Sequence, residues 1–205
     1  PVHPAPPASC ELASAVGDGS TGTTVDDHAL TTSVVEISSN LLSSQAGATE
    51  SSYTTYQIIL HLAAEVRSVY TIFGTDSQRL SFPPAYQAAT PFGVDVGGVN
   101  PAFFPVAAST ATGYAQFDSW LTVGITDGDT SSAISQIGID FLSWDEDHEL
   151  LSDSETGGAV FWMDPDSAAD ALSPDKTVVI AQLTIPDSAH SQPARFGVQG
   201  RTYQA

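Results

Sequence analysis

The sequence predicts an all-β fold: an antiparallel β-sandwich, jelly-roll or immunoglobulin-like, behind an extended N-terminal arm rich in Pro, Ser and Thr. Three observations point there. Apolar and polar residues alternate with period two over several runs, and no run sustains a helical period. Turn residues such as Asp127-Gly128-Asp129 and Asp164-Pro165 punctuate those runs. The chain has 205 residues, 41% of them hydrophobic, which suits one large core and is cramped for two domains.

The arm comes first. Prolines at 1, 4, 6 and 7 fix φ and remove amide donors, so the first residues read as extended, polyproline-like chain. Residues 16–24 are Val followed by Gly, Ser, Thr and Asp, and residues 1 to about 24 are expected to be arm or linker. Thr31-Thr32-Ser33-Val34-Val35-Glu36-Ile37 is β-favouring, yet it lies between that stretch and the small polar residues 43–52. An isolated strand does not stay ordered in water, so it must find an edge. The expectation is that residues 1–52 form an arm whose one strand is given to a neighbouring chain, with Thr31, Val34, Val35 and Ile37 as assembly residues. The polar spacers also allow it to return to its own sheet.

The body, residues 53–205, is expected to be the sandwich. Strands are predicted near 53–62, 69–74, 117–126, 158–163, 177–185 and 196–203, with a shorter β-like stretch at 137–141, about eight strands in all. Residues 64–67 suit a hairpin connection. Residues 80–105 carry prolines at 83, 84, 91, 101 and 105 together with Phe82, Tyr86, Phe92, Phe103 and Phe104. Prolines break ladders and aromatics favour burial, which predicts a long ordered loop folded back on the sheet. A single helical turn is expected at 168–172.

Charge narrows the function. Five Lys and Arg stand against 24 Asp and Glu, a net charge of −19, while charged residues make up only 14% of the chain. Bases are missing rather than acids in excess. Nucleic acid, whose phosphates need Lys and Arg, is disfavoured, as are anionic membrane surfaces. No apolar stretch is long enough for a membrane-spanning helix. The chain opens on Pro-Val-His-Pro rather than Met, and a removed secretory leader is expected. Cys10 is the sole cysteine, so no intrachain disulfide forms; it reads as an inert thiol or as a link to another chain.

Candidate chemistry is sparse. Asp127 and Asp129, with Asp145 and Asp147 further on, offer loop carboxylates of the type that holds calcium, the one cofactor the residues suggest; an ordinary acidic turn is the simpler reading. Asp118 and Asp140 are the best carboxylate pair for glycoside hydrolysis, but Asp at a strand end more often bonds backbone amides. The histidines 3, 28, 61, 148 and 190 have no metal-ligand spacing, and no Gly-x-Ser-x-Gly elbow exists. Trp120 and Trp162 lie in apolar strands and are expected in the core; Trp144, beside the acidic loop, is the best exposed aromatic for a sugar. Ser and Thr total 45 residues, and no Asn-x-Ser/Thr acceptor occurs. The Ala-Pro and Pro-Ala-Ser texture of residues 1–9 suits O-linked glycans, with Pro4, Pro6, Pro7 and Ser9 as acceptors.

Several phrases together resemble a module of secreted cell-surface proteins of microalgae and other protists: SVYTIFG at 68–74, FDSWLTVGITDGD at 117–129, IGIDF at 137–141, GAVFWMDP at 158–165 and VVIAQLT at 178–184. The resemblance covers roughly residues 53–203 and implies an extracellular β-rich module; it transfers no activity and no catalytic residue. The expectation is a non-enzymatic structural subunit of an extracellular filament, hair or coat, a homo-oligomer assembling head to tail through its arm. The alternative is a carbohydrate-binding or adhesion module, possibly calcium-dependent.

Overall fold

The computed structural model describes residues 10–14, 30–41, 52–109, 114–186 and 192–203. It is an all-β sandwich of two packed sheets. Among the described residues there are eleven strands: β1 (Cys10–Ser14), β2 (Leu30–Leu41), β3 (Tyr53–Leu62), β4 (Val66–Gly74), β5 (Ser81–Phe82), β6 (Trp120–Leu121), β7 (Ile134–Ile137), β8 (Leu150–Leu151), β9 (Gly158–Trp162), β10 (Thr177–Pro186) and β11 (Ala194–Thr202). One sheet has the order β2-β3-β10-β6; in the other, ladders link β7 to β9, β9 to β4, β4 to β11, β11 to β5 and β5 to β8, with β1 added on β11. All strand pairings are antiparallel except β1 with β11, which is parallel.

Alternation on the long strands builds the core. Tyr56, Ile58 and Leu60 of β3 and Leu183 and Ile185 of β10 face Ile72 of β4, Val160 of β9 and Phe196 and Val198 of β11 in one buried cluster. The ring of Phe82 stacks on Phe196, with centroids 5.9 Å apart. Trp120 and Trp162 are buried, as the apolar strands around them predict, and Trp162 Nε1 donates to the Val123 carbonyl at 2.7 Å.

The proline-rich loop folds back on the sheet. Val99, Ala107, Ala115 and Trp120 form a second buried cluster with Phe92 and Phe104, and Tyr53, Tyr86 and Ala88 form a third. Both lie outside the main core. The loop contains one short helix, α1 (Phe104–Ala108), which holds no buried stripe long enough to stand alone. The helical turn expected at 168–172 is a 3-10 turn, Ser167–Ala171.

Three expectations are corrected. The strand predicted over 117–126 reduces to Trp120–Leu121, because Asp118 turns inward before it and Gly124 takes φ 94° after it. The connection after β3 is not a hairpin: both flanks of β3 are already taken, by β2 and β10, so the chain crosses to the other sheet and β4 pairs with β11 and β9. Part of the stretch read as arm, Cys10–Ser14, is a strand in register with Ala194–Val198.

Pairing also shows that β4 and β5 are one interrupted line. Arg195 pairs with Glu11 on β1 and with Ser81 on β5, so those two lie on opposite flanks of β11; Gly197 pairs with Ala13 on β1 and Phe73 on β4, so β4 shares the flank of β5. The neighbouring line breaks at the same level, where the bridge Asp153↔Gly157 closes a loop between β8 and β9. Backbones crowd at this waist. A Cβ on Gly157, at φ 72°, would sit 2.3 Å from the Gly74 carbonyl oxygen, and one on Gly138, at φ 66°, 2.3 Å from that of Gly157.

Two outcomes follow for stability. Gly157→Ala combines a left-handed backbone with that clash and is expected to cost at least about 1–3 kcal/mol in denaturant unfolding. Trp120→Ala and Trp162→Ala are each expected to cost about 3–5 kcal/mol, read the same way; melting like the parent would place them on the surface.

Candidate functional site: the arm edges and the acidic loops

Strand β2 lies on the outer flank of β3, in register from Leu30↔Leu62 to Leu41↔Tyr53, with irregularities after Glu36 and Ser38. Among the described side chains of β2 (residues 30–39), only Leu30 is fully committed to the core; Val34 packs against it in part. Thr31 is exposed, and Val35 and Ile37 remain 40% and 51% exposed. Ser33 Oγ bonds His61 Nε2 at 2.7 Å across the pair. The assembly residues therefore sit on an edge of their own sheet. This is the return to its own sheet that the polar spacers allow: the flank of β3 is within reach of the segment, and in the lone chain β2 fills it. Strand β1 does the same for β11, and β1 and β2 touch each other, so both N-terminal strands close one side of the sandwich. No strand among the described residues pairs with the outer flank of β2. The glycan acceptors Pro4, Pro6, Pro7 and Ser9 lie outside the described residues.

The acidic residues are engaged by backbone. Asp129 accepts from the amides of Ala133 and Ile134 at 2.9 and 2.7 Å and from Ser131 Oγ at 3.0 Å. Burial raises its carboxyl, but these donors outweigh it and hold the group below the usual range. Asp145 Oδ1 accepts from the amides of Asp147 and His148 and contacts His148 Nδ1 at 2.7 Å. Again burial raises the carboxyl and the donors more than reverse it. Asp127 lies in the first of these loops and Asp147 in the second, and among the described residues no three His, Cys, Asp or Glu side chains come together as a metal group. The calcium expectation gains no assembled ligand set: each loop uses its aspartate as a turn cap.

Trp144 corrects a second expectation. It is 2% exposed, and its Nε1 donates to the Pro83 carbonyl at 2.9 Å. The aromatic offered to a sugar is thus a peg that fixes the start of the proline-rich loop. The chain continuing from Pro83 passes beside the acidic loop, where the Ala85 amide donates to the Asp145 carbonyl.

Asp118 and Asp140 do not form a pair. Asp140 is exposed and accepts from Ser143 Oγ at 2.6 Å. Asp118 is fully buried; Oδ1 accepts from the Ala88 amide and Oδ2 from the Val94 amide, each at 2.7 Å. Burial raises its carboxyl, and with the negative charge of Asp95 outweighs the amides, so the group is pushed up to about 7. Its role is to clamp the loop, which is the simpler reading the sequence offered.

Sequence reasoning missed a polar cleft of about 680 Å3 at the glycine waist, lined by Arg79 and by residues 136–140 and 151–154. Nε and Nη2 of Arg79 both donate to the Ser152 carbonyl, so the guanidinium serves the sheet break. No local motif announces the cleft, since three separate segments make it.

No family model, curated protein or solved structure matches the chain.

The raised Asp118 carboxyl gives a pH prediction. The folded state holds its proton where the unfolded chain has released it, so this group's contribution to stability is fullest below the ordinary carboxyl range and is lost as pH rises towards about 7. Asp118→Asn is expected to flatten that slope in urea unfolding measured across the window. At about pH 5, where the native group is protonated, the substitution is expected to cost about 1–3 kcal/mol, because Nδ2 faces an amide donor.

Proposed function

We propose that the chain is a structural subunit of an extracellular filament, hair or cell-surface coat, assembling head to tail with identical copies through its N-terminal arm. The observation that carries this reading is the seat of β2. A twelve-residue strand is attached to β3 by a backbone ladder, and of its described side chains only Leu30 is fully committed to the core. Main-chain bonds of that kind are supplied equally well by the same strand of another copy. A contact between different surfaces of identical subunits extends without closing, which makes a fibre.

Composition supports the same reading. Low charge density and 45 Ser and Thr suit a packed, hydrated coat, and the Pro-rich residues 1–9 suit O-linked glycans. Extracellular placement rests on that texture and on the resemblance to surface modules. No helix among the described residues is long and apolar enough to cross a membrane. The sugar-binding alternative loses its aromatic in Trp144, which is buried.

Negative-stain imaging of the concentrated full chain tests the proposal, with filaments expected. Deleting residues 1–42 is expected to abolish them and leave a soluble or sticky monomer, and a peptide of residues 30–41 is expected to cap that monomer. Filaments that persist unchanged after the deletion would remove the arm from the assembly.

A further inference from the structure

We infer that the arm is a self-cap: in the lone chain β1 and β2 close the same two edges that a neighbour's arm closes in the assembly, so release of the arm gates polymerisation. This inference rests on the assembly reading above and adds its control.

The two edges lie together. β2 covers β3 along Tyr53–Leu62, and β1 covers β11 along Ala194–Val198. Because β1 and β2 also touch, the arm seals one side of the sandwich with a strand for each sheet. Without it, that side presents two rows of unpaired amides and carbonyls, one per sheet. An identical arm is the occupant that matches both rows at once, in sequence and in direction, one antiparallel and one parallel.

The tether permits either closure. Leu41 and Tyr53 are register partners, so a two-residue turn would suffice to keep β2 on its own β3. The chain instead spends residues 42–52 there, mostly Ser, Ala and single polar residues. Extended, such a segment spans about 36–40 Å. Exchange replaces each contact by its copy, so its net cost is small. The balance is then set by concentration. A short tether presents the arm to its own edge at an effective concentration in the millimolar range. Dilute chains therefore close on themselves, and neighbours compete only when subunits are crowded. Such a subunit stays monomeric until it is delivered in bulk.

A disulfide lock tests this. Val35 and Gln57 are Cα partners, and Val35 is exposed. The full chain with Cys10→Ser, Val35→Cys and Gln57→Cys is oxidised when dilute, then concentrated, and its assembly is followed by light scattering and negative stain beside the reduced form. Thr31→Cys with His61→Cys, a register pair exposed on both strands, repeats the test should the first variant misfold. The expected result is that the locked monomer needs at least about 100-fold more protein to assemble, and that reduction restores the parent onset. Reduced protein assembled first and oxidised afterwards is expected to give a covalent ladder on a non-reducing gel. A locked monomer that assembles like the reduced one, or an assembled sample that oxidises only to monomer, overturns the self-cap and the donation of the arm, and leaves standing only that the chain forms filaments. Reduced protein that assembles at no concentration overturns both.

Discussion

A long loop without regular structure can lie on a sheet only if its buried amides find acceptors, and here one carboxylate supplies two. Asp118 receives the amides of Ala88 and Val94 and so pins the proline-rich loop on both sides of the turn at 90–92. Its own carbonyl accepts from Gln182 Nε2, which also reaches the Gln116 carbonyl, and Ser119 Oγ accepts the Thr184 amide. The outer face of β10 is therefore polar yet dry: Thr184 meets Thr55 at 2.7 Å, and Gln182 accepts from Gln57 at 3.3 Å. A buried polar network of this kind is favourable only when satisfied throughout. Here these bonds join the loop to the centre of the four-stranded sheet, while Gln116 Oε1 stays buried without a partner.

The clamp has a consequence for the edges. With one flank of the four-stranded sheet built on the covered β10 and β6, the variable flank is the one at β3. In the seven-stranded sheet the waist between β4 and β5 is fixed by close glycines and by Arg79 on the Ser152 carbonyl. What is left to the chain's N-terminal segment is to close the remaining side of each sheet. The two strands that do so are joined to the body by one polar tether, and the proposed assembly uses that feature rather than any cleft or cluster of acids.

Much of the fold was legible in the residues. The bounds of β3 match the alternating run from Tyr53, and β9, β10 and β11 fall within two residues of their predicted ends, because each is long or apolar enough for its pattern to outweigh local exceptions. The covering loop was legible from five prolines among aromatics. The segment 117–126 misled because Phe117, Trp120, Leu121, Val123 and Ile125 resemble a strand pattern, while the deciding features, an inward Asp118 and a left-handed Gly124, depend on partners far along the chain. Trp144 misled because its neighbours are acidic, and neighbours in sequence do not decide burial when Pro83 supplies an acceptor from across the fold.

The sequence by itself determined the class of the molecule: all-β, poor in bases, with a β-favouring segment set apart by polar spacers. Period-two alternation and composition are local properties, readable without knowing what any strand touches. Only the tertiary structure decided where the edges lie, that β1 joins β2 in closing one side, and that Asp129 and Asp145 cap turns while Asp118 clamps a loop. Strand order and hydrogen-bond partnership are set by contacts between residues distant in sequence, and a strand's pattern is the same whichever edge it fills.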